Sequence, residues 1–160
     1  MTDHSKPIRK DDDASKQLII ELLDGAPTFG FDIDSIYYLP AKEAWVVFEF
    51  LKTDHRHVRP RDSHPRRYWR KNWRKFASLW RLVTDLSASG SKAFLCLVNY
   101  EDIDHARSQG REDREFHIIW VLDMDPTEEG GVTRQETKTF PTFAAFQTWF
   151  QAFNRQAGRV

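Results

Sequence analysis

Residues 45–51 read Trp-Val-Val-Phe-Glu-Phe-Leu, six bulky apolar side chains around a single carboxylate, Glu49. An apolar run this dense in β-branched and aromatic residues predicts a strand covered on both faces rather than an edge. Just upstream, Phe31 to Leu39 carries Ile33, Ile36, Tyr37 and Tyr38, and the Pro40-Ala-Lys-Glu break between the two runs predicts a hairpin. Downstream, a polar loop rich in Arg, His and Pro leads into a helix expected from about Pro65 to Leu86, closed by Ser87 to Gly90. Within it Trp69, Trp73, Phe76, Trp80 and Val83 are spaced 4, 3, 4, 3 and predict the buried stripe. Arg67, Lys71, Arg74, Ser78 and Arg81 repeat that spacing on a second, polar stripe.

The flanking segments complete the order. Ser15 can cap a helix with Leu18, Ile19, Leu22 and Leu23 on one face, stopped by Gly25-Ala-Pro27. Two more strands are expected at Lys92–Tyr100 and Glu115–Asp123, joined by the charged loop Glu101 to Arg114. A last helix from about Thr142 to Asn154 turns Phe143, Phe146, Trp149, Phe150 and Phe153 inward. The resulting order, α-β-β-α-β-β-α, predicts an α/β fold with a mixed central sheet flanked by helices. Residues 1–13 are expected to be a disordered tail and 14–160 a single domain.

The chain has 160 residues, 40% of them hydrophobic and 14% aromatic, enough to build a core despite 30% charged side chains. The single cysteine, Cys96, lies in Phe94-Leu-Cys-Leu-Val98 and reads as a small buried hydrophobe, not half of a disulfide or a metal ligand. Neither an apolar leader nor a run of 18 apolar residues is present, so a soluble, cytoplasmic protein without a membrane partner is expected. No Gly-x-Ser-x-Gly elbow, phosphate-binding loop or dinucleotide glycine pattern occurs, which disfavours serine hydrolase, nucleotide-driven and redox chemistry.

Two acids stand in strands that otherwise read as buried: Asp34, in Phe31-Asp-Ile-Asp-Ser-Ile36, and Glu49. A buried carboxylate without a partner costs several kcal/mol or takes up a proton, so the fold must supply a counter-charge. A hard divalent cation can be shared by two acids on adjacent strands, with a backbone carbonyl and waters completing an oxygen-rich shell of the kind Mg²⁺ prefers. The bland alternatives are an exposed Asp34 at a strand start and a Glu49 paired with an arginine of the following helix.

An N-terminal helix, an Ile-Asp-Ser-Ile strand, a 15-residue interval, a Val-Phe-Glu-Phe-Leu-Lys strand, a long helix and another buried strand together resemble the core of the PD-(D/E)XK, restriction-endonuclease-like nuclease superfamily. The resemblance covers roughly Ser15 to Tyr100. It implies Mg²⁺, with Mn²⁺ able to substitute, held by Asp34 and Glu49 with the Phe50 carbonyl, and a lysine that orients or activates water. The lysine departs from the pattern: position 51 is Leu and the lysine is Lys52, on the face opposite Glu49 by strand alternation. Members that supply the polar group from the following helix point instead to Lys75, with Asn72 beside it. Glu21 on the first helix resembles an acid that many members place near the metal.

Net charge is zero, with 24 basic and 24 acidic residues, but its distribution is uneven. From His55 to Lys75 nine Arg or Lys face one acid, Asp62. Arg56, Arg59, Arg61, Arg66, Arg67, Arg70, Lys71 and Arg74 are candidates for nucleic-acid phosphates, with DNA the expected partner. An ordinary solvated helix face is the alternative, and Trp69 and Trp73 fit the core stripe too well to be free for base stacking. His55, His57 and His64 with Asp54 and Asp62 suggest zinc by spacing, but the surrounding cations favour a polar linker. The sequence therefore points to a Mg²⁺-dependent nuclease, acting as a homodimer or beside a targeting protein. The alternatives are an inactive nucleic-acid-binding module of the same fold and a protein-interaction or assembly domain that docks through its aromatic last helix.

Overall fold

The computed structural model describes residues 14–27 and 30–158; the tail expected over residues 1–13 lies outside them. Packing divides the chain into a unit ending at Asp32 and a second unit from Ile33 onward. In the first, α1 spans Ala14–Leu23, so Ser15 lies inside the helix rather than capping it. Leu18, Ile19, Ile20 and Leu22 are exposed, and Lys16 pairs with Asp32 at 3.3 Å.

The second unit runs β1 (Ser35–Leu39), β2 (Ala44–Lys52), α2 (Trp69–Ala88), β3 (Lys92–Tyr100), α3 (Ile103–Ser108), β4 (Phe116–Asp125), β5 (Gly131–Phe140) and α4 (Phe143–Ala157). Its five strands lie side by side in chain order. All neighbours are antiparallel except β2 and β3, which are parallel and are therefore bridged by the α2 crossover rather than by a turn. The fold is mixed α/β, a five-stranded mixed sheet with helices on both faces.

Alternation along the strands divides the core in two. Val46, Phe48, Cys96, Val98, Phe116 and Ile118 face α4, where Phe146 and Phe153 are buried. Val47, Leu95, Leu97, Ile119 and Val121 face α2 and its Trp69, Phe76, Leu79 and Val83. Burial pushes the Cys96 thiol pKa up, as its apolar strand implies.

Several expectations need correction. β1 begins at Ser35, four residues later than read, and α2 at Trp69, after a separate turn of 3-10 helix at Pro65–Arg67. The buried stripe of α2 includes Leu79, while Trp73 and Trp80 flank it half-buried. On α4, Phe143 is 37% exposed at the rim and carries the Arg114 guanidinium 4.3 Å over its ring. The expected order lacked α3, hidden in the charged loop after β3, and β5, whose Gly-Val-Thr-Arg-Gln-Glu-Thr-Lys-Thr-Phe is polar on both faces because it is a sheet edge.

Candidate active site

Register places the C-terminal ends of β2 and β3, the start of β1 and the start of β4 at one end of the sheet: Ser35 pairs with Phe48, Lys52 with Tyr100, and Tyr100 with Phe116. Asp34 directly precedes β1 at this end. There β1 no longer covers the edge of β2, and the exposed Asp34 side chain takes over, its Oδ2 accepting a hydrogen bond from the Phe50 N–H at 2.7 Å. Because the N–H and C=O of one strand residue face the same neighbour, the Phe50 carbonyl lies on that open edge too.

Glu49 projects from β2 toward α2 and is 3% exposed. Its Oε1 accepts from Lys75 Nζ at 2.5 Å, the lysine being drawn from the middle of α2. Its Oε2 is buried and meets no donor among the described residues. Burial raises the Glu49 pKa most; the Lys75 hydrogen bond pulls it down, the neighbouring Asp34 carboxylate pushes it up again, and the result is about 7. The site thus gathers two carboxylates, one ammonium and one unsatisfied carboxylate oxygen. Asn72, one turn before Phe76, donates from Nδ2 to the Tyr68 carbonyl at 3.4 Å.

Tyr68 and Asn99 are site neighbours that the sequence reading missed. Burial, then the charge of Glu49, raises the Tyr68 pKa. Its Oη donates to Asn99 Oδ1 at 3.1 Å. Fully buried Asn99 in turn donates to the carbonyls of Ser63, at 2.5 Å, and Pro60, at 3.3 Å, tying the basic loop to β3. Only the polar residue in Leu95-Cys-Leu-Val-Asn99 hinted at this.

Lys52 is not brought to Glu49. It pairs with Asp102 at 2.8 Å, about half-exposed, on the other face of β2 as strand alternation requires. Glu21 lies on α1 of the first unit, and its side chain is exposed.

The basic segment separates into tied and free cations. Arg59 Nη2 donates to Glu115 at 2.6 Å, and Arg61 donates to the same carboxylate from Nε at 2.9 Å, from Nη2 at 2.6 Å and from its backbone N–H at 3.0 Å. Arg70 pairs with Glu129. Arg74 lies 5.6 Å over the Trp73 ring. Arg56, Arg66, Arg67 and Lys71 are exposed and make no ion pair with any described residue. Trp69 is buried, stacks on Phe76 and donates from Nε1 to the Thr127 carbonyl at 2.9 Å, so it offers no face to a base.

Two other buried acids, both overlooked in the sequence, are structural. Glu101 is gripped by both terminal nitrogens of Arg111, by His105 Nδ1 at 2.7 Å and by the Glu115 N–H at 2.9 Å. Burial pushes Glu101 and Glu115 up, but these arginine and backbone donors outweigh it and leave both pKa values below the ordinary carboxylate range. His55 bonds the Arg56 carbonyl and His64 bonds Gln135; among the described residues no three His, Cys, Asp or Glu side chains converge as a metal-ligand group. No described helix is long and apolar enough to cross a membrane. Comparison with protein-family models, with curated proteins and with solved structures gives no match.

Proposed function

We propose that the chain is a small divalent-metal-dependent nuclease of the PD-(D/E)XK type, hydrolysing phosphodiester bonds of nucleic acid, with DNA the favoured substrate. The observation that carries this reading is the meeting of Asp34, Glu49 and Lys75 at the open end of the β1–β2 pair, with one buried Glu49 oxygen left without a donor. An oxygen-only donor set of this kind, two carboxylates and the Phe50 carbonyl, suits Mg²⁺ or Mn²⁺ rather than a soft metal. Two negative charges against one ammonium leave the cluster short of positive charge, which a divalent ion would supply. Strand order and direction around β1, β2 and β3, with α2 between the parallel pair, agree with this superfamily reading.

In hydrolysis a water adds to phosphorus as the ester P–O bond breaks, leaving a phosphomonoester and a hydroxyl group. A bound divalent ion would stabilise the charge gathering on the phosphoryl oxygens and lower the pKa of a coordinated water. Asp34 and Glu49 would hold that ion, and the Asp34 bond to the Phe50 N–H fixes its carboxylate at the strand edge. Lys75, anchored on Glu49, presents an ammonium beside the same oxygens and can hydrogen-bond a water or a phosphate oxygen. It takes the part that Glu-x-Lys spacing would have assigned to residue 51. Tyr68, close enough to Glu49 to feel its charge, is held in place by its bond to Asn99 and forms part of the wall of the site.

The test is cleavage of a supercoiled plasmid and of a labelled duplex in Mg²⁺ or Mn²⁺ and in EDTA. Metal-dependent cutting lost in Asp34→Ala and Glu49→Gln supports the reading. Absence of cutting with every metal, or equal cutting by the variants, refutes it.

A further inference from the structure

The turn joining β4 to β5 sets acids against the basic start of α2. Glu128 and Glu129 line one wall of a groove of about 510 Å³ whose other wall is Arg66, Arg67, Arg70 and Lys71. The groove is built rather than incidental. Trp69 of its floor holds the Thr127 carbonyl at 2.9 Å, the Gly130 N–H closes the turn on the same carbonyl at 3.0 Å, and a Cβ at Gly130 would collide with the Asp125 carbonyl oxygen. Glu129 holds Arg70, with both side chains 73% exposed, so this pair is screened and easily exchanged for another anion. Among the described residues Glu128 has no cationic partner, and Arg66, Arg67 and Lys71 have no acidic one.

One cation of the groove lies near the candidate site along α2. Lys71 lies one helical turn, about 6 Å, before Lys75, and Lys75 is the lysine on Glu49. A strand with one phosphate at Asp34, Glu49 and Lys75 and running along the start of α2 would meet Lys71 first and then the turn that carries Arg66 and Arg67.

The geometry points to this groove as the track for the nucleic-acid backbone flanking the cleaved bond, with the Glu128–Glu129 turn as an internal competitor whose carboxylate a phosphate displaces from Arg70. The inference rests on the nuclease reading for the direction of the track, but its test does not require cleavage. Since the aromatic floor is buried and bonded to the turn, contact is with phosphates and is independent of base sequence. The acids weaken non-productive binding, so that duplex held only by the basic groove is released.

The experiment is fluorescence anisotropy of the full chain with a fluorescein-labelled 20-base-pair DNA duplex in EDTA across a series of salt concentrations. Glu128→Gln with Glu129→Gln is expected to tighten binding about three- to tenfold at low salt. Arg66→Ala, Arg67→Ala and Lys71→Ala together are expected to weaken it tenfold or more and to flatten the salt dependence by close to one per cation removed. Circular dichroism and the melting temperature check that the variants fold, and charge-preserving Lys71→Arg should restore affinity lost in Lys71→Ala. Unchanged affinity in the Glu-to-Gln variant, or wild-type affinity in the triple variant, overturns the track while leaving metal-dependent cleavage to be judged by the plasmid assay. The expected shifts without cleavage by any metal would keep the track and refute the nuclease. A wild-type chain that binds no duplex at all overturns the track outright.

Discussion

Glu101 and Glu115 on one hand and Glu49 on the other are carboxylates of nearly equal burial at the same end of one sheet. The first two are wrapped in arginine, histidine and backbone donors until their charge is favoured over water. Glu49 has one lysine, a like-charged neighbour and an oxygen with no donor, and it is held near pH 7 at the edge of protonation. The same chain thus shows what a satisfied structural acid looks like and what an unsatisfied one looks like. The fold supplies Arg59, Arg61 and Arg111 to two carboxylates and leaves the third short of donors, and it is on this contrast that the proposed cation site rests.

Cleavage separates the two groups most sharply. Asp34→Ala and Glu49→Gln are expected to lower Mg²⁺-dependent cleavage by about a thousandfold or more and Lys75→Ala by about a hundredfold, whereas Lys52→Ala should stay within twofold of wild type in the same time course. Stability should order the acids the other way. Glu101→Gln leaves the mostly buried Arg111 and His105 without a counter-charge and is expected to cost about 3–5 kcal/mol in urea unfolding. Glu115→Gln should cost less, because Arg59 and Arg61 can turn toward solvent. Glu49→Gln should instead stabilise the metal-free protein by about 1–3 kcal/mol at pH 8.

The pH dependence sharpens that opposition. Glu49 titrates near 4.5 in the unfolded chain and about 7 in the folded one, so the folded state holds the extra proton between these values. The wild type is favoured below that window and loses the advantage as pH rises through 7; the gain from Glu49→Gln should therefore fade from pH 8 to pH 5. Glu101 and Glu115 have depressed values, so their contribution is complete above the ordinary carboxylate range and is lost as pH falls below it. Urea midpoints of the three variants measured at pH 4, 6 and 8 check both signs. The smallest effect is at the exposed Lys52–Asp102 pair, where solvent screens the charges and Lys52→Ala should leave the urea midpoint essentially unchanged.

Residues 45–51 made the central strand legible because a two-sided apolar run has few other uses, and the heptad-like spacing of Trp69, Phe76 and Val83 did the same for α2. β5 escaped notice because an edge strand alternates polar with polar and hides its period. The Trp73 and Trp80 positions misled because large aromatic rings at helical spacing look central even when they only border the packed face. At the site, Asp34 and Glu49 stood out as charges among apolar neighbours, whereas Lys75 was a candidate only through the superfamily resemblance, as one of the polar groups that the following helix can supply. The separation of tied arginines from free ones depended on Glu115 and Glu129, more than fifty residues away, which no local pattern reveals.

Crystals soaked in millimolar Mn²⁺ at pH 8 and measured at the manganese absorption edge test the account most directly. An anomalous peak within coordination distance of Asp34, Glu49 and the Phe50 carbonyl oxygen is the expected result. Lys75 still on Glu49 with no manganese density between the two acids would contradict it.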